Sequence, residues 1–305
     1  MYDHADRFHE GERRAQSLAG FNAVTGAFHD SMPDQHRSFF AALPYIFASS
    51  IDDNGWPVAT LFSGPPGFIS SPDERHLRIH ALRREDDPGQ AAMRPGQHIG
   101  LLGLDFSNRR RNRANGHISR MDKNRLEIAV VQSFGNCPKY IQSRRLEALT
   151  RSSPLPAIEY LTVLDTSAKT LITQADTFFI ASYAQGDNLN GGADISHRGG
   201  QPGFVRLVRD TLWIPDFSGN RYMNTLGNLL AQPRAALLFM DFERGDILHL
   251  QGTTDIVWQP DANCPAGTER YWRLRIRNAW RFRSALPWRG WLQEYSPATL
   301  QTGVW

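Results

Sequence analysis

The 305-residue chain contains only two cysteines, Cys137 and Cys264, and neither belongs to a CxxC pair or a His-supported pattern. A structural zinc or an iron–sulfur cluster is therefore not expected, no metal site is predicted, and both residues are interpreted as free thiols in a reducing compartment. The chain also lacks an apolar run of membrane-spanning length, and its N-terminus is charged from Asp3. We therefore expect neither a membrane segment nor secretion, and we predict a cytoplasmic protein.

A strong excess of one charge is also absent, since 34 Lys and Arg stand against 31 Asp and Glu, a formal net charge of +3. This excess is too diffuse to indicate nucleic-acid binding, so no nucleic-acid partner is predicted. One basic run, RRRNR at 109–113, is interpreted as the solvated tip of a hairpin that could attract an acidic partner or a phosphorylated substrate. No Rossmann-type GxGxxG motif for a nicotinamide cofactor is recognisable.

Similar blocks recur in the chain at one fixed spacing. The segment GPPGFI at 64–69 is matched 136 residues later by GQPGFV at 200–205, and LLGLDF at 101–106 is matched by LLFMDF at 237–242. Asn115-Gly116 corresponds to Gln251-Gly252 at the same offset. Three blocks at one spacing predict an internal repeat.

Each unit shows apolar runs bounded by turn residues, which is typical of short strands. Between the strands of the second unit, Met223, Leu226 and Leu230 have helical spacing, with Asn220 as the predicted N-cap and Pro233 as the stop. We therefore predict a mainly β chain with short helices that forms two tandem antiparallel barrels, with domains at 1–150 and 151–305. The linker between the two units is predicted near 144–161, and its charged first part is predicted to be helical. The Arg- and Trp-rich C-terminal extension is interpreted as a solvated Arg face with tryptophans packed on a barrel.

Several motifs resemble those of the pyridoxamine 5′-phosphate oxidase-like superfamily, the FMN-binding split barrels. They are DTFFIAS, DISHRGGQPGF, LWIPDFSGN, NTLGNLLAQPRAALLFMDF and GDILHLQG, with NGWPVATLF, RNRANGHI and NCPKYIQ in the first unit. The resemblance implies two split β-barrels with FMN in the cleft between them. It does not fix an activity, because the fold serves oxidases, reductases, haem-handling proteins and flavin binders alike. The substrate-binding pattern that the oxidase carries near its C-terminus has no convincing counterpart here.

The segment DISHRGGQPGF, residues 194–204, carries the predicted flavin contacts. On a strand, Asp194, Ser196 and Arg198 share one face and His197 lies on the other, which argues against a Ser–His nucleophilic pair. Gly199, Gly200, Pro202 and Gly203, followed by Phe204, are predicted to let the backbone approach a planar ring. The alternative is a β-bulge or turn that serves the fold alone, which the similar GPPGF of the first unit supports.

A phosphate site is predicted where the second unit enters its helix. Ser218, Gly219, Asn220, Arg221, Asn224 and Thr225 combine hydroxyl, amide and guanidinium groups at a helix N-terminus, which suits an anion. The first unit has Glu85, Asp86 and Asp87 there, which would satisfy the helix start themselves and repel a phosphate. We therefore expect one FMN per chain, with Lys139 of NCPKYIQ contributing from the first unit to the phosphate or to the flavin N1–O2 region. A deazaflavin or FAD is the alternative cofactor, because both share the tricyclic head and a phosphate.

The leading functional prediction is an FMN-dependent oxidoreductase that acts on a small-molecule substrate with NAD(P)H or a small organic donor. His197 is the catalytic candidate, as a group that could move a proton near neutral pH, with a purely structural role as the alternative. Cys137 is interpreted as packing, since no base stands at a diagnostic spacing. A non-enzymatic flavin or electron-transfer module and a haem-binding split barrel are the competing functions, and a homodimer is compatible with the sequence.

Overall fold

The structure, a computed structural model, describes residues 7–150, 156–186 and 191–305. It is mainly β with short helices, as the sequence predicts. The strands are β1 (Tyr45–Ile51), β2 (Pro57–Ser63), β3 (Ile69–Asp73), β4 (His76–His80), β5 (His98–Asp105), β6 (Arg110–Met121), β7 (Arg125–Gly135), β8 (Ser143–Ala148), β9 (Glu159–Tyr160), β10 (Thr177–Ala184), β11 (Gly192–Gly199), β12 (Arg206–Val208), β13 (Thr211–Phe217), β14 (Arg234–Met240), β15 (Ile247–Val257), β16 (Thr268–Phe282) and β17 (Trp288–Glu294). The helices are α1 (Glu10–Leu18), α2 (Asp34–Ala42), α3 (Pro88–Ala91), α4 (Thr166–Gln174), α5 (Asn224–Ala231) and α6 (Pro297–Leu300). Among these described helices, none has the length and apolar character needed to cross a membrane.

Two antiparallel sheets have the same strand order. The first runs β2-β1-β5-β6-β7-β4-β3 and the second runs β11-β10-β14-β15-β16-β13-β12. Their registers also correspond, because Leu102 pairs with Arg113 across β5 and β6 just as Leu238 pairs with His249 across β14 and β15. These pairings keep the 136-residue offset of the sequence blocks, so positions on β5 and β6 have counterparts on β14 and β15.

Alternation along the strands divides the apolar side chains among three cores. On β10, Phe178 packs inside the second sheet, whereas its neighbour Phe179 points to the layer shared with the first sheet. Ile46 and Phe47 on β1 divide in the same way. The rings of Phe47 and Phe179 stack at 3.7 Å between centroids, so the two sheets meet through a continuous apolar layer.

The backbones of the two sheets are in close contact where β5 meets β11. A Cβ on Gly100 would lie 2.6 Å from the carbonyl oxygen of Ala193 and 2.8 Å from Cα of Asp194. Only glycine fits at this distance, since no real Cβ makes such contacts. The approach brings β6 of the first sheet beside β11 of the second.

Two sequence-based assignments of helical structure are wrong. Residues 144–148 of the linker form β8 rather than a helix, because they pair in antiparallel fashion with β17. Residues 151–155 of the predicted linker, which include Pro154, lie outside the described residues, and β9 follows at Glu159–Tyr160. Asn220 is not the N-cap of α5: the helix begins at Asn224 after Met223, which is in the left-handed region with φ 62°, and the Asn220 side chain accepts from the Tyr222 amide instead.

One other local assignment is confirmed. Asp87 caps α3 by accepting a hydrogen bond from the Gly89 amide at 2.8 Å.

The Arg- and Trp-rich segment does not extend beyond the second unit, because its first part is β16, which pairs with both β15 and β13. Trp272, Trp280 and Trp288 are buried as predicted, whereas Trp291 is 41% exposed. Arg277 remains in solvent, but Arg270 and Arg281 are buried, so the arginines do not form one solvated face.

Candidate functional site

A cavity of about 250 Å³ lies between β6 of the first sheet and the strands β11, β13 and β16 of the second. The N-terminal end of α5 and the preceding loop close one side. The structure brings together most of the predicted site residues, but Gly200, Pro202 and Gly203 do not line the cavity. The predicted residues in its wall are Lys139, Ser196, His197, Arg198, Gly199, Phe204, Asn220, Arg221, Asn224 and Thr225. Both sheets contribute to the wall, so neither sheet forms this cavity alone.

Two arginines of β6 were missed as site residues by the sequence analysis. The run 109–113 is not a solvated hairpin tip: only Arg109 lies in the turn, while β6 begins at Arg110 and places Arg111 and Arg113 in the cavity wall. Arg113 is 4% exposed. Strand alternation within RRRNR was the available signal, because a strand directs every second side chain to one face.

Arg113 is fixed by a polar chain that ends at α5. Its Nη1 donates to both carboxylate oxygens of Asp194, at 2.8 and 3.0 Å, and its Nη2 donates to Ser196 Oγ. Thr225 Oγ1 donates to the same Ser196 oxygen at 2.9 Å. Asp194 neutralises Arg113, and the network positions the Ser196 and Thr225 hydroxyls beside the first turn of α5.

A second carboxylate, Asp216 on β13, holds two more cations of the wall. Arg198 Nη1 donates to one oxygen and Arg270 Nη1 donates to the other at 2.7 Å. Arg270 also donates to Glu269 at 2.9 Å. Asp194, Asp216 and Glu269 therefore offset only part of a positive charge that comes from Arg111, Arg113, Lys139, Arg198, Arg221 and Arg270.

Arg111, Lys139 and Arg221 are the cations of the wall without an ion pair to any described acidic residue, and Arg111 is the one of the three that is partly buried. Its Nε is buried without a hydrogen-bond partner, and its guanidinium forms no ion pair with any acidic residue that the structure describes. Burial first, and then Arg113 and Arg198, lower the pKa of Arg111 to about 9. The group still carries its charge at neutral pH, so the cavity holds a cation that lacks a counter-charge.

The first turn of α5 presents amides without a side-chain cap. Met223 at the N-cap makes no capping hydrogen bond, and both Met223 and Arg221 have left-handed backbone, with φ 62° and 66°. Such conformations are unfavourable for non-glycine residues and cluster at functional sites. The Asn224 amide group turns away to donate to Glu12, and Lys139 Nζ lies 3.3 Å from Ser218 Oγ at the mouth of the cavity.

His197 does not have the environment expected of a group that titrates near neutral pH. It is 5% exposed, its ring lies edge-on to Phe179, and both ring nitrogens are buried without partners among the described residues. Burial, reinforced by Arg111, Arg144 and Arg198, lowers the pKa of His197 well below its ordinary value. The imidazole is therefore neutral near pH 7 in the folded chain, and a role for His197 in proton transfer stays a prediction.

Pro202 and Gly203 shape a turn away from the cavity. Gly203, with φ +95°, contacts Val304, and its carbonyl oxygen accepts from Trp305. The same turn occurs in the first unit, because Phe68 N bonds Pro65 O as Phe204 N bonds Gln201 O. The geometry supports the alternative that this segment serves the fold, while Phe204 and Gly199 reach the cavity wall.

The corresponding position in the other sheet is filled differently. Register places Ile247 and His249 of β15 where β6 has Arg111 and Arg113. His249 stacks on Trp280 with ring centroids at 5.1 Å, and burial lowers the pKa of His249 to about 3. The buried Asp87 accepts from Thr60 at 2.5 Å and caps α3. This position therefore contains neutral rings and a carboxyl group where the first sheet contributes two arginines, and its nearby cation, Arg84, is paired with Asp86 at 2.7 Å.

Both cysteines are free, and Cys137 contributes to the cavity wall. Its interpretation as packing stays a prediction, as does any role in chemistry. Across 7–150, 156–186 and 191–305, no three His, Cys, Asp or Glu side chains converge in a way that could hold a metal ion.

Comparison with known proteins gives matches to solved structures only. No protein-family model and no curated protein matches the sequence. The FAD-binding protein from Mycobacterium smegmatis matches with 14% identity and a TM-score of 0.27, over 42% of this chain and 98% of its own. The chain resembles the split-barrel proteins in fold. An FAD-binding protein from Mesorhizobium loti (14%, TM-score 0.28, 41% of this chain and 97% of its own) and the haem storage protein from Vibrio cholerae (10%, TM-score 0.28, 40% and 96%) also match.

Proposed function

We propose that this split-barrel protein binds one FMN per chain, with the FMN phosphate in the cationic cavity, and uses it as an oxidoreductase. The observation that carries the proposal is Arg111, a charged group at the cavity wall that has no carboxylate partner among the described residues. The side chain is partly exposed and its buried Nε has no hydrogen-bond partner within the described ranges, so an anionic ligand would supply both the missing counter-charge and an acceptor.

The remaining groups of the wall fit a phosphate. The uncapped amides of α5 offer donors and positive dipole, and Thr225 and Ser196 add hydroxyls beside them. Arg111 and Arg113 approach from the opposite sheet, and guanidinium groups suit phosphate oxygens. When bound, FMN supplies redox chemistry, while this chain binds the phosphate, and Lys139 is positioned to place positive charge near the ligand.

Single occupancy follows from the difference between the two clefts. The counterpart of Arg111 is Ile247 and that of Arg113 is His249, and Asp87 occupies the helix start that would receive a phosphate. The identical strand orders support the proposal that units 1–150 and 151–305 arose as a repeat in which one of two equivalent sites was retained. A ratio of two FMN per chain would refute this.

The test compares FMN with riboflavin, which lacks only the phosphate. Purified protein is first examined by absorption spectroscopy and mass spectrometry of the released cofactor, and the stripped protein is then titrated with each flavin. We expect Arg111→Met to raise the Kd for FMN roughly 10- to 150-fold, from the loss of a charge-assisted hydrogen bond of about 1.5–3 kcal/mol, and to leave riboflavin unaffected.

Arg277→Met is the matched control, because Arg277 is exposed on β16 and does not line the cavity. Equal effects of Arg111→Met on FMN and riboflavin would contradict phosphate recognition. A Soret band without bound flavin would favour the haem-binding alternative. Anaerobic bleaching of the bound flavin by NAD(P)H or a small organic donor would support an oxidoreductase. If the bound flavin stays oxidised with every donor tested, a binding or electron-transfer module would be supported instead.

A further inference from the structure

The N-terminal segment 7–28 lies across both sheets, with α1 packed on α5 of the second unit and the Phe28 ring packed on Phe134 of β7 at 4.7 Å between centroids. Helix α1 crosses α5 at a pair of glycines, where a Cβ on Gly11 would lie 2.4 Å from the Gly227 carbonyl oxygen. Gln16 Nε2 donates to the Tyr222 carbonyl at 3.2 Å, and the Tyr222 hydroxyl accepts from the Ala27 amide at 3.0 Å. Hydrogen bonds to Tyr222 therefore connect the segment to the loop before α5, which leads into the proposed phosphate site.

Phe21 is the residue of this segment that reaches the cavity wall. The guanidinium carbons of Arg221 and Arg270 lie 5.0 and 5.9 Å from the centroid of its ring, which is the arrangement of a cation–π contact. Its backbone N–H donates to the Gln16 carbonyl at 2.9 Å. Phe21 thus spans the gap between the loop before α5, which carries Arg221, and β16, which carries Arg270.

We propose that Phe21 closes the phosphate end of the cavity and restricts the site to ligands that terminate in a phosphate monoester, excluding phosphodiester-type extensions such as the adenylyl arm of FAD. This inference rests on the proposed function. A monoester ends against the wall of the cavity. A second ester arm has to leave through the wall that Phe21, Arg221 and Arg270 form together.

Cavity size supports the same restriction. The cavity of about 250 Å³ opens to solvent on one side and lies below the roughly 300–1,000 Å³ of sites that enclose a drug-sized ligand, so it holds the phosphate end of a ligand and leaves the exit route to the residues of its wall. The preference for FMN over FAD would then have two sources. Phe21 would obstruct the adenylyl arm of FAD, and the cavity wall would contact the phosphate of FMN.

The experiment measures Kd for FMN and for FAD by flavin fluorescence in the full chain and in Phe21→Ala. Phe21→Leu retains apolar packing while it removes the ring, and Leu18→Ala, at a position 49% exposed on α1, is the control within the same segment. Thermal shifts with phenyl phosphate and diphenyl phosphate give a monoester and diester pair that does not depend on a flavin. Melting curves without ligand verify that each variant is folded.

We expect the unsubstituted chain to prefer FMN over FAD, and phenyl phosphate over diphenyl phosphate, by at least about tenfold. Phe21→Ala should reduce that preference about tenfold by improving the binding of the diester, with FMN affinity changed less than about threefold and Leu18→Ala without effect. Equal affinity for FMN and FAD in the unsubstituted chain, or an unchanged preference in both Phe21 variants, would overturn the inference. Binding of neither flavin would instead contradict the proposed function, and the phenyl phosphate pair would still decide the role of Phe21.

Discussion

Glu12 gives the sharpest prediction of pH-dependent stability in this protein. Its carboxyl group is 5% exposed on α1, where Oε2 accepts from the His9 amide at 2.9 Å and Oε1 accepts from Asn224 at the start of α5. Burial raises the pKa of Glu12 to about 8, aided by the charge of Asp194 and opposed by Arg113 and the two hydrogen bonds. The folded chain therefore holds this proton at neutral pH.

The sign of the effect follows from proton binding. In the denatured state, Glu12 loses its proton near its ordinary pKa of 4.5, so above that pH the denatured state binds fewer protons than the folded state. Stability from this group is fully present below pH 4.5 and is lost as the pH rises to about 8, at about 1.4 kcal/mol per pH unit. The loss across the whole window is roughly 4–5 kcal/mol.

Glu12→Gln removes the titration, so the variant should gain stability relative to the unsubstituted protein as the pH rises. Urea denaturation at about pH 5 and pH 8 gives both free energies of unfolding. Other titrating groups contribute to both proteins and cancel in the difference, and Glu10→Gln, at an exposed position of the same helix, is the control. A difference between the two proteins that changes by less than about 1 kcal/mol over this range would refute a buried, protonated Glu12.

Two further substitutions test the packing. His197→Leu should leave the free energy of unfolding unchanged or raise it by about 1 kcal/mol in thermal or urea denaturation, and retain flavin, because two unpaired buried nitrogens disappear and Leu61 occupies the corresponding position opposite Phe47. A stable, flavin-loaded variant that has lost turnover would instead support a catalytic His197. Gly100→Val should lower the free energy of unfolding by about 1–3 kcal/mol, since its side chain would meet the Ala193 carbonyl. If Gly100→Val melts at the same temperature as the unsubstituted protein, β5 and β11 can move apart at Gly100 without loss of stability, and the prediction is wrong.

Much of the fold was predictable because its signals are local. The two Gly-Pro-rich segments form the same turn, in which a Cβ on Gly64 or Gly200 would meet the ring of Phe68 or Phe204. The capping carboxylate of Asp87 was also recognisable from its neighbours alone. These features involve residues only a few positions apart, so a short stretch of sequence contains all the partners.

The errors arose where a distant partner decides the structure. Residues 144–148 are charged enough to suggest a helix, yet pairing with β17, far away in sequence, makes them a strand. Arg111 and Arg113 resemble a solvated basic run until β11 of the other sheet is placed against them. His197 carries no sequence signal of burial, and its pKa follows from Phe179 and the surrounding arginines.

The sequence by itself determined the strand-rich units, their shared turns and the acidic difference at the first helix start, because alternation, turn residues and caps act over a few bonds. Tertiary structure alone decided which cations share one cavity and that Arg111 lies in its wall without a carboxylate partner among the described residues. It also decided that Phe21, from the beginning of the chain, lies over a site built mostly from the second half. Charge compensation and cavity shape depend on distances through space, and those distances are set only when the two sheets and α1 pack together.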